Sequence, residues 1–125
     1  MTVLPGETIL RLVKEGKLGI KPFYEDGIQP ASYDARLGTE ILVSPVGEER
    51  GEAKDLRMEK DKCYEIKTGQ FVSVMTEEWF TFPNDICGKF GLRSEYTRKG
   101  LLAFGGIQID PGWNGRLVIS LFNIG

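Results

Sequence analysis

Hydrophobic and polar positions along this chain follow two different periods. Near the N-terminus, apolar residues recur at helical spacing between an opening Pro5-Gly6-Glu7-Thr8 segment and a stop signal at Gly16. The apolar residues of this helix are Ile9, Leu10, Leu12 and Val13. Beyond the helix, short apolar runs alternate with Gly, Pro, Asn and Asp, which predicts strands. The candidate strands span residues 40–44, 63–66, 71–76, 86–91, 101–104, 107–110 and 116–123. We therefore expect a mostly β fold, a jelly roll or distorted barrel, with an N-terminal helix.

Two stretches lie outside this simple pattern. Residues 46–62 are rich in charge and predict an exposed connection or a weak hairpin. The last strand ends close to Gly125, and a strand at the edge of a sheet normally needs a partner. We therefore expect either a partner subunit or further chain to cover that edge.

Size, charge and residue usage restrict the function. The 125 residues predict a single domain spanning residues 1–125, and a net charge of −2 argues against general nucleic-acid binding. The chain has no long apolar run and no signal peptide, so we expect a cytoplasmic protein without a membrane partner. Cys63 and Cys87 match no metal spacing, which favours reduced thiols in the core. The absence of histidine excludes histidine triads and histidine-ligated zinc.

The segment around Ser94 carries the first candidate chemistry. Ser94 and Arg98 are four residues apart and would share one face of a short helix near residues 94–99, which begins after Arg93. A hydroxyl and two guanidiniums suit a polyphosphate. The alternative is an ordinary N-cap serine with arginines that point to solvent.

A second candidate is the turn at Asp110-Pro111-Gly112-Trp113. Asp110 ends an apolar strand, where a carboxylate is costly to bury, and the Pro-Gly pair fixes its geometry relative to Trp113. Asp110 would accept a proton from water or bind a sugar hydroxyl, and Trp113 would pack against a deoxyribose. The alternative is an Asx turn in which Asp110 caps its own backbone.

Three further sets of residues have weaker signals. Gly105 and Gly106 would allow a flat base to approach the backbone, or they would form a bulge. Asp34 would orient an arginine, bind a hydrated Mg²⁺ or cap a turn. The aromatic residues Trp79, Phe80 and Phe82 are interpreted as core and turn residues.

Taken in order along the chain, these motifs resemble the superfamily of dCTP deaminases and trimeric dUTP diphosphatases. The segments that carry the resemblance are residues 31–38, 82–85, 93–101 and 109–115. The N-terminal region, residues 9–20, resembles the deaminases in particular. The resemblance implies a dUTPase-like barrel, a homotrimer with sites between subunits, and Mg²⁺ on the triphosphate.

The resemblance also assigns roles. Ser94 and Arg98 would contact the phosphates, and Arg93 would brace the site. The backbone of residues 105–107 would recognise the pyrimidine base by hydrogen bonds. Gln108 would lie in the substrate site, and Trp113 would stack on the sugar. Asp110 would activate water, and Asp34 would make a weak metal contact through water. The full set of predicted substrate-binding residues is Arg93, Ser94, Arg98, Gly105, Gly106, Ile107, Gln108 and Trp113.

The choice between the two branches depends on one position. Deaminases of this superfamily carry a proton-shuttling glutamate at the position that Ser120 occupies, and residues 116–125 contain no carboxylate. Because a serine hydroxyl is a poor base near neutral pH, we predict a dUTP diphosphatase, which converts dUTP and water to dUMP and pyrophosphate. The alternatives are dCTP deamination, alone or combined with triphosphate hydrolysis, and a non-catalytic nucleotide-binding homologue. Glu95, which stands beside the predicted phosphate site, favours the non-catalytic alternative.

Overall fold

The chain folds mostly into β-strands. A computed structural model describes residues 2–44, 51–104 and 107–125, and in this part of the chain no helix is long and apolar enough to cross a bilayer. The chain clusters into two compact units. Unit 1 comprises Met1–Arg36, Thr76–Gly88 and Ile109–Leu117, and unit 2 comprises Leu37–Met75, Lys89–Gln108 and Val118–Gly125. The single domain expected from the length stays a prediction.

The regular elements are short and follow one another closely. The helices are α1 (Gly6–Lys14) and α2 (Ser94–Thr97). The strands are β1 (Gly19–Lys21), β2 (Ile28–Gln29), β3 (Ser32–Tyr33), β4 (Leu37–Val43), β5 (Glu52–Asp55), β6 (Phe71–Thr76), β7 (Trp79–Thr81), β8 (Gly88–Lys89), β9 (Leu101–Phe104), β10 (Gln108–Ile109), β11 (Asn114–Gly115) and β12 (Val118–Asn123). Short 3₁₀ turns cover Glu25–Gly27, Leu56–Met58 and Lys60–Lys62.

Helix α1 matches the sequence prediction at both ends. It begins after Pro5, whose fixed φ suits a helix start. At its end, the backbone N–H groups of Glu15 and Gly16 donate to carbonyls of the last turn. Gly16 has φ +74°, a conformation that glycine adopts without the steric cost of a side chain. The predicted N-terminal helix is therefore confirmed.

In unit 1, a three-stranded sheet in the order β1-β7-β11 surrounds Phe80. Phe80 is buried, pairs with Ile20 on β1 and Gly115 on β11, and contacts the Tyr33 ring at 6.5 Å. Trp79, in contrast, is 44% exposed and donates its indole N–H to Asn114 at 2.7 Å. The interpretation of Trp79 as a core residue is wrong, because strand alternation turns it away from the face that Phe80 occupies.

In unit 2, a five-stranded sheet in the order β5-β4-β6-β12-β9 buries one of its two faces. Every second residue on the central strands points to this core. The buried cluster consists of Ile41, Val43, Val72, Val74 and Leu121. The branched side chains of this cluster suit a pleated, covered surface.

The position of β12 corrects one expectation. β12 pairs antiparallel with β6 on one side, where Ser120 faces Ser73, and with β9 on the other, where Ser120 faces Phe104. The expectation that this strand would present an unpaired edge is wrong, because residues 101–104 return alongside it as β9. Both sides of β12 are thus hydrogen-bonded within unit 2.

The remaining strand predictions agree only in part. Residues 71–76 and 101–104 form β6 and β9 as predicted, whereas 86–91 is reduced to β8. Residues 63–66 form no strand, and Tyr64 instead accepts a hydrogen bond from Gln70 at 2.9 Å. The prediction that Cys63 and Cys87 lie in the core is wrong, because both are exposed. In the charge-rich stretch, residues 51–62 contain β5 and two 3₁₀ turns, and residues 46–50 lie outside the described residues.

Candidate functional site

The predicted phosphate-binding residues lie on a single helical turn in unit 2. Arg93 has extended backbone angles and its carbonyl accepts from the Tyr96 N–H at 3.0 Å, which starts α2. The Arg98 N–H donates to the Ser94 carbonyl at 2.9 Å, so these residues are stacked one turn apart. The short helix is shown, although it ends at Thr97 rather than at residue 99. Arg93, Ser94 and Arg98 are all exposed and accessible to an anion.

Glu95 changes the charge of this turn. Its carboxylate lies 3.7 Å from Nε of Arg93, and both side chains are largely exposed. An exposed pair of this kind contributes about 0–1 kcal/mol, so an anionic ligand can displace it. Part of the positive charge of Arg93 is therefore neutralised by Glu95.

The segment predicted to contact the base lies between β9 and β10 in the sequence. The Ile107 carbonyl accepts from the Phe90 N–H at 2.9 Å, and Ile107 is 50% exposed. Gln108 lies on β10 and is also exposed. Gly105 and Gly106 lie outside the described residues, so their predicted role stays a prediction.

In unit 1, Asp110 and Trp113 are brought together by a tight turn. The Trp113 N–H donates to the Asp110 carbonyl at 3.1 Å, and Gly112 has φ +81°, which with Pro111 is typical of a type II turn. The Trp113 indole N–H donates to the Gly115 carbonyl at 3.1 Å. This bond fixes the orientation of a ring that is 41% exposed. The backbone turn therefore holds both side chains in a set geometry.

The burial of Asp110 differs from expectation. The sequence pattern suggested a buried carboxylate, whereas Asp110 is exposed because it stands one residue beyond the buried Ile109, at the start of the turn. An exposed carboxylate is hydrated and readily reached by a ligand. The proposed roles of Asp110 toward sugar and water stay predictions.

The buried carboxylate of unit 1 is Glu78, which sequence reasoning missed. Glu78 is 0% exposed and accepts from the backbone N–H of Arg36 at 2.9 Å and from the Tyr33 hydroxyl at 2.9 Å. Burial, followed by the hydrogen bond to Glu78, raises the pKa of Tyr33 well above its ordinary range. The signal in the sequence was a charged residue directly before the apolar strand β7.

The Glu78 carboxylate anchors the segment that contains Asp34, because it accepts from the backbone N–H of Arg36. The Asp34 N–H donates to the Gly27 carbonyl at 2.8 Å, and Asp34 is half-buried. Beyond it, the Arg36 guanidinium pairs with Asp26 at 3.1 Å and lies 3.7 Å from the Tyr24 ring centroid. The motif at residues 32–36 therefore has a clear structural role in unit 1.

Residues 2–44, 51–104 and 107–125 contain no group of three or more histidine, cysteine, aspartate or glutamate side chains that could hold a metal ion. A resident metal site thus finds no support in this part of the chain. Mg²⁺ bound to a nucleotide needs only one or two carboxylates, because phosphates and water supply the other ligands. The predicted Mg²⁺ and the contact from Asp34 stay predictions.

Ser120, on which the predicted choice of branch rests, lies on β12 between β6 and β9 in the unit 2 sheet. Its hydroxyl is 3.1 Å from that of Ser73 on the neighbouring strand, and both residues are half-buried. A pair of hydroxyls can donate and accept hydrogen bonds but cannot act as a base near neutral pH.

Comparisons with known proteins agree with one another. The chain matches the dCTP deaminase-like family over residues 3–125. It is 35% identical over 104 residues to the dCTP deaminase of Pyrococcus abyssi, covering 83% of this chain and 62% of the relative. It is 33% identical over 138 residues to the dUMP-forming dCTP deaminase of Methanopyrus kandleri, covering 98% of this chain and 72% of the relative. The chain thus spans about three fifths of the Pyrococcus relative.

A solved structure supports the predicted fold. The crystal structure of 2′-deoxycytidine 5′-triphosphate deaminase from Agrobacterium tumefaciens superposes with a TM-score of 0.74 at 20% identity. The match covers 96% of this chain and 41% of that chain. The expectation of a dUTPase-like, mostly β fold is therefore confirmed.

These findings correct the predicted activity. The prediction of a dUTP diphosphatase rested on the superfamily resemblance and on two positions, Asp110 and Ser120, whereas the similarity to proteins named dCTP deaminase extends over most of the chain. A serine at position 120 changes the chemistry available there, but it does not outweigh similarity over most of the chain. The chain belongs to the dCTP deaminase-like family.

Proposed function

We propose that this protein is an enzyme that binds dCTP and removes its 4-amino group as ammonia. The observation that carries the proposal is the similarity to dCTP deaminases over almost the whole chain. The geometry adds support, because exposed Ser94 and Arg98 stand one helical turn apart, a spacing suited to a phosphate chain.

The reaction has a simple balance. The oxygen of water forms a bond to C4 of the pyrimidine and becomes the 4-oxo group, and the bond from C4 to the amino nitrogen breaks. One proton of that water leaves with the amino group as ammonia, and the other is transferred to N3 of the ring. The product is dUTP, or dUMP if the triphosphate is also cleaved, as the name of the Methanopyrus relative indicates for that protein. The step requires a group that moves a proton at the ring.

Two further elements of the proposal follow from the substrate. The triphosphate would bring Mg²⁺, held mainly by phosphate oxygens and water, with Asp34 as an indirect contact. A homotrimer is supported by the unit 2 sheet face that points away from the core, where Phe71, Phe104 and Val118 are each more than 40% exposed. Exposed apolar side chains in such number are typical of a surface that another subunit covers.

The test is an incubation of the purified protein with dCTP and Mg²⁺, in which ammonia, pyrophosphate and nucleotide products are measured together. Ammonia released in proportion to dCTP lost is the expected result, and CTP is the matched control for recognition of the deoxyribose. If the protein neither binds dCTP nor releases ammonia from it, the proposal fails.

A second candidate is nucleotide binding without turnover. The specific observation in its favour is the Ser73–Ser120 hydroxyl pair, which stands where the resemblance expects a carboxylate. Saturable binding of dCTP with no ammonia over prolonged incubation would select this candidate. Ammonia release would exclude it.

A further inference from the structure

Unit 1 contains a cavity of about 390 Å³ that lies away from every predicted substrate residue. It is lined by the end of α1, by β1 and by the residues that end β7. The side chains of its apolar wall are Val13, Leu18, Ile20, Phe82 and Pro83. Its volume falls within the range of small-molecule sites, about 300–1,000 Å³, and such sites are mostly apolar.

The cavity is preformed. Leu18 and Ile20 are each only 5% exposed, and Ile20 is the cross-strand partner of the buried Phe80, so this wall is fixed by the core of unit 1. Gly19 lies between them and opposite Thr81, where a Cβ would stand 2.8 Å from the Thr81 Cβ. The missing side chain at Gly19 therefore leaves space on the outward side of the sheet.

The polar lining of the cavity is cationic. Lys17, Lys21 and the Thr81 side chain contribute to it, and its described lining residues include no aspartate or glutamate. Lys17 lies 3.1 Å from a carboxylate oxygen of Glu15, but this exposed pair contributes about 0–1 kcal/mol and an anion can displace it. Two ammonium groups beside an apolar wall suit a ligand with an apolar body and a negative charge.

A third cation extends the positive charge across the outward face of the sheet. Lys21 is the cross-strand partner of Trp79, and the guanidinium carbon of Arg116 lies 5.8 Å from the centroid of the Trp79 ring. The outward positions of β1, β7 and β11 carry no acidic residue. An anion that approaches the cavity therefore meets positive charge on this face as well as at the lysines.

We propose that this cavity binds a small aromatic phosphomonoester. The ring would pack on the apolar wall, and the phosphate would bind the ammonium groups of Lys21 and Lys17. A phosphomonoester carries a charge of about −1.5 to −2 at neutral pH, which matches two lysines better than a carboxylate does. The proposal goes beyond the proposed function and does not require dCTP to be the substrate, because none of the lining residues lies on α2 or in the turn at Asp110.

The test is calorimetry with phenyl phosphate, which has the ring and the phosphate but no sugar, base or triphosphate. Inorganic phosphate is the second probe and should bind at least about fivefold more weakly, because it buries no apolar surface. Lys21→Met should weaken phenyl phosphate binding about 3- to 10-fold, the effect of one lost charged contact. Lys14→Met, the same charge change at an exposed position of α1 outside the cavity, is the matched control and should stay within about twofold of wild type.

A further variant distinguishes this cavity from the predicted phosphate site. Arg98→Ala should leave phenyl phosphate binding unchanged, because Arg98 lies in unit 2 and does not line the cavity. The proposal is overturned if the wild-type protein shows no saturable binding at millimolar phenyl phosphate, or if Lys21→Met binds it as tightly as wild type. It is also overturned if Arg98→Ala abolishes binding, or if inorganic phosphate binds equally well. None of these results bears on whether the protein deaminates dCTP, so failure here leaves the proposed function standing.

Discussion

The Glu95 carboxylate lies 3.7 Å from the guanidinium nitrogen Nε of Arg93, at the start of the helical turn that carries Ser94. A negative charge stands on a segment that the sequence predicts to bind a triphosphate. The pair is exposed, so its own contribution to stability is small and its effect on an anion is felt mainly through charge.

Removal of this charge should strengthen nucleotide binding. We expect Glu95→Gln to lower the Kd for dCTP about two- to fivefold at low salt, because Arg93 gains full access to the phosphates. The gain should shrink at 0.5 M salt, where exposed charges are screened. Titration with dCTP at both salt concentrations measures the change in Kd. The control is Glu65→Gln, which makes the same charge change at another exposed position of unit 2. Weaker binding by Glu95→Gln would show that Glu95 helps to position Arg93 or a metal ion.

Replacement of Ser120 tests which chemistry the site supports. If the protein binds dCTP but turns it over slowly, Ser120→Glu should raise ammonia release about 100-fold, since a positioned general base typically contributes about 10²–10⁴. Ser120→Gln has the same size without the base and is the control. Equal rates in these two variants would show that a carboxylate at this position has no part in the reaction.

Gly112 should be intolerant of a side chain. Its φ is +81°, and a Cβ at this position would lie 2.9 Å from Oδ1 of Asn84. We expect Gly112→Ala to lower the free energy of unfolding by about 1–2 kcal/mol, through the strained φ and the close approach. Gly91→Ala, where a Cβ would meet nothing within 4 Å, is the control for urea denaturation and should be near neutral. A Gly112→Ala protein as stable as wild type would show that the turn can rearrange.

The buried phenol of Tyr33 predicts a loss of stability in alkali. Burial raises its pKa in the native state, so the native protein keeps the proton where the unfolded chain loses it. This stabilisation is complete below the ordinary tyrosine pKa, about 10, and is lost as the pH rises through the native value. The free energy of unfolding, measured between about pH 9 and 11.5, should fall as the pH rises. The free energy of unfolding of Tyr33→Phe should fall less steeply over the same range. Identical slopes would contradict a perturbed Tyr33, whereas a uniform offset reports only the lost bond to Glu78.

Features with local causes were readable from the sequence. Helix α1 follows from its apolar spacing and its end signals, and β6 and β9 follow from short apolar runs between turn residues. The turn at Asp110 follows from Pro111 and Gly112, whose backbone preferences act without distant contacts. The superfamily followed from the order of several motifs, because together they are far more specific than any one motif alone.

Features that depend on distant partners were decided only by the tertiary structure. The burial of Glu78 depends on Tyr33 and Arg36, more than 40 residues earlier, and sequence alone reads it as one more charged residue. In the same way, Ser73 gains its place beside Ser120 from the register between β6 and β12, 47 positions apart. Local preference fixes turns and periodicity, whereas burial and strand pairing are set by which distant segments bury their apolar faces together.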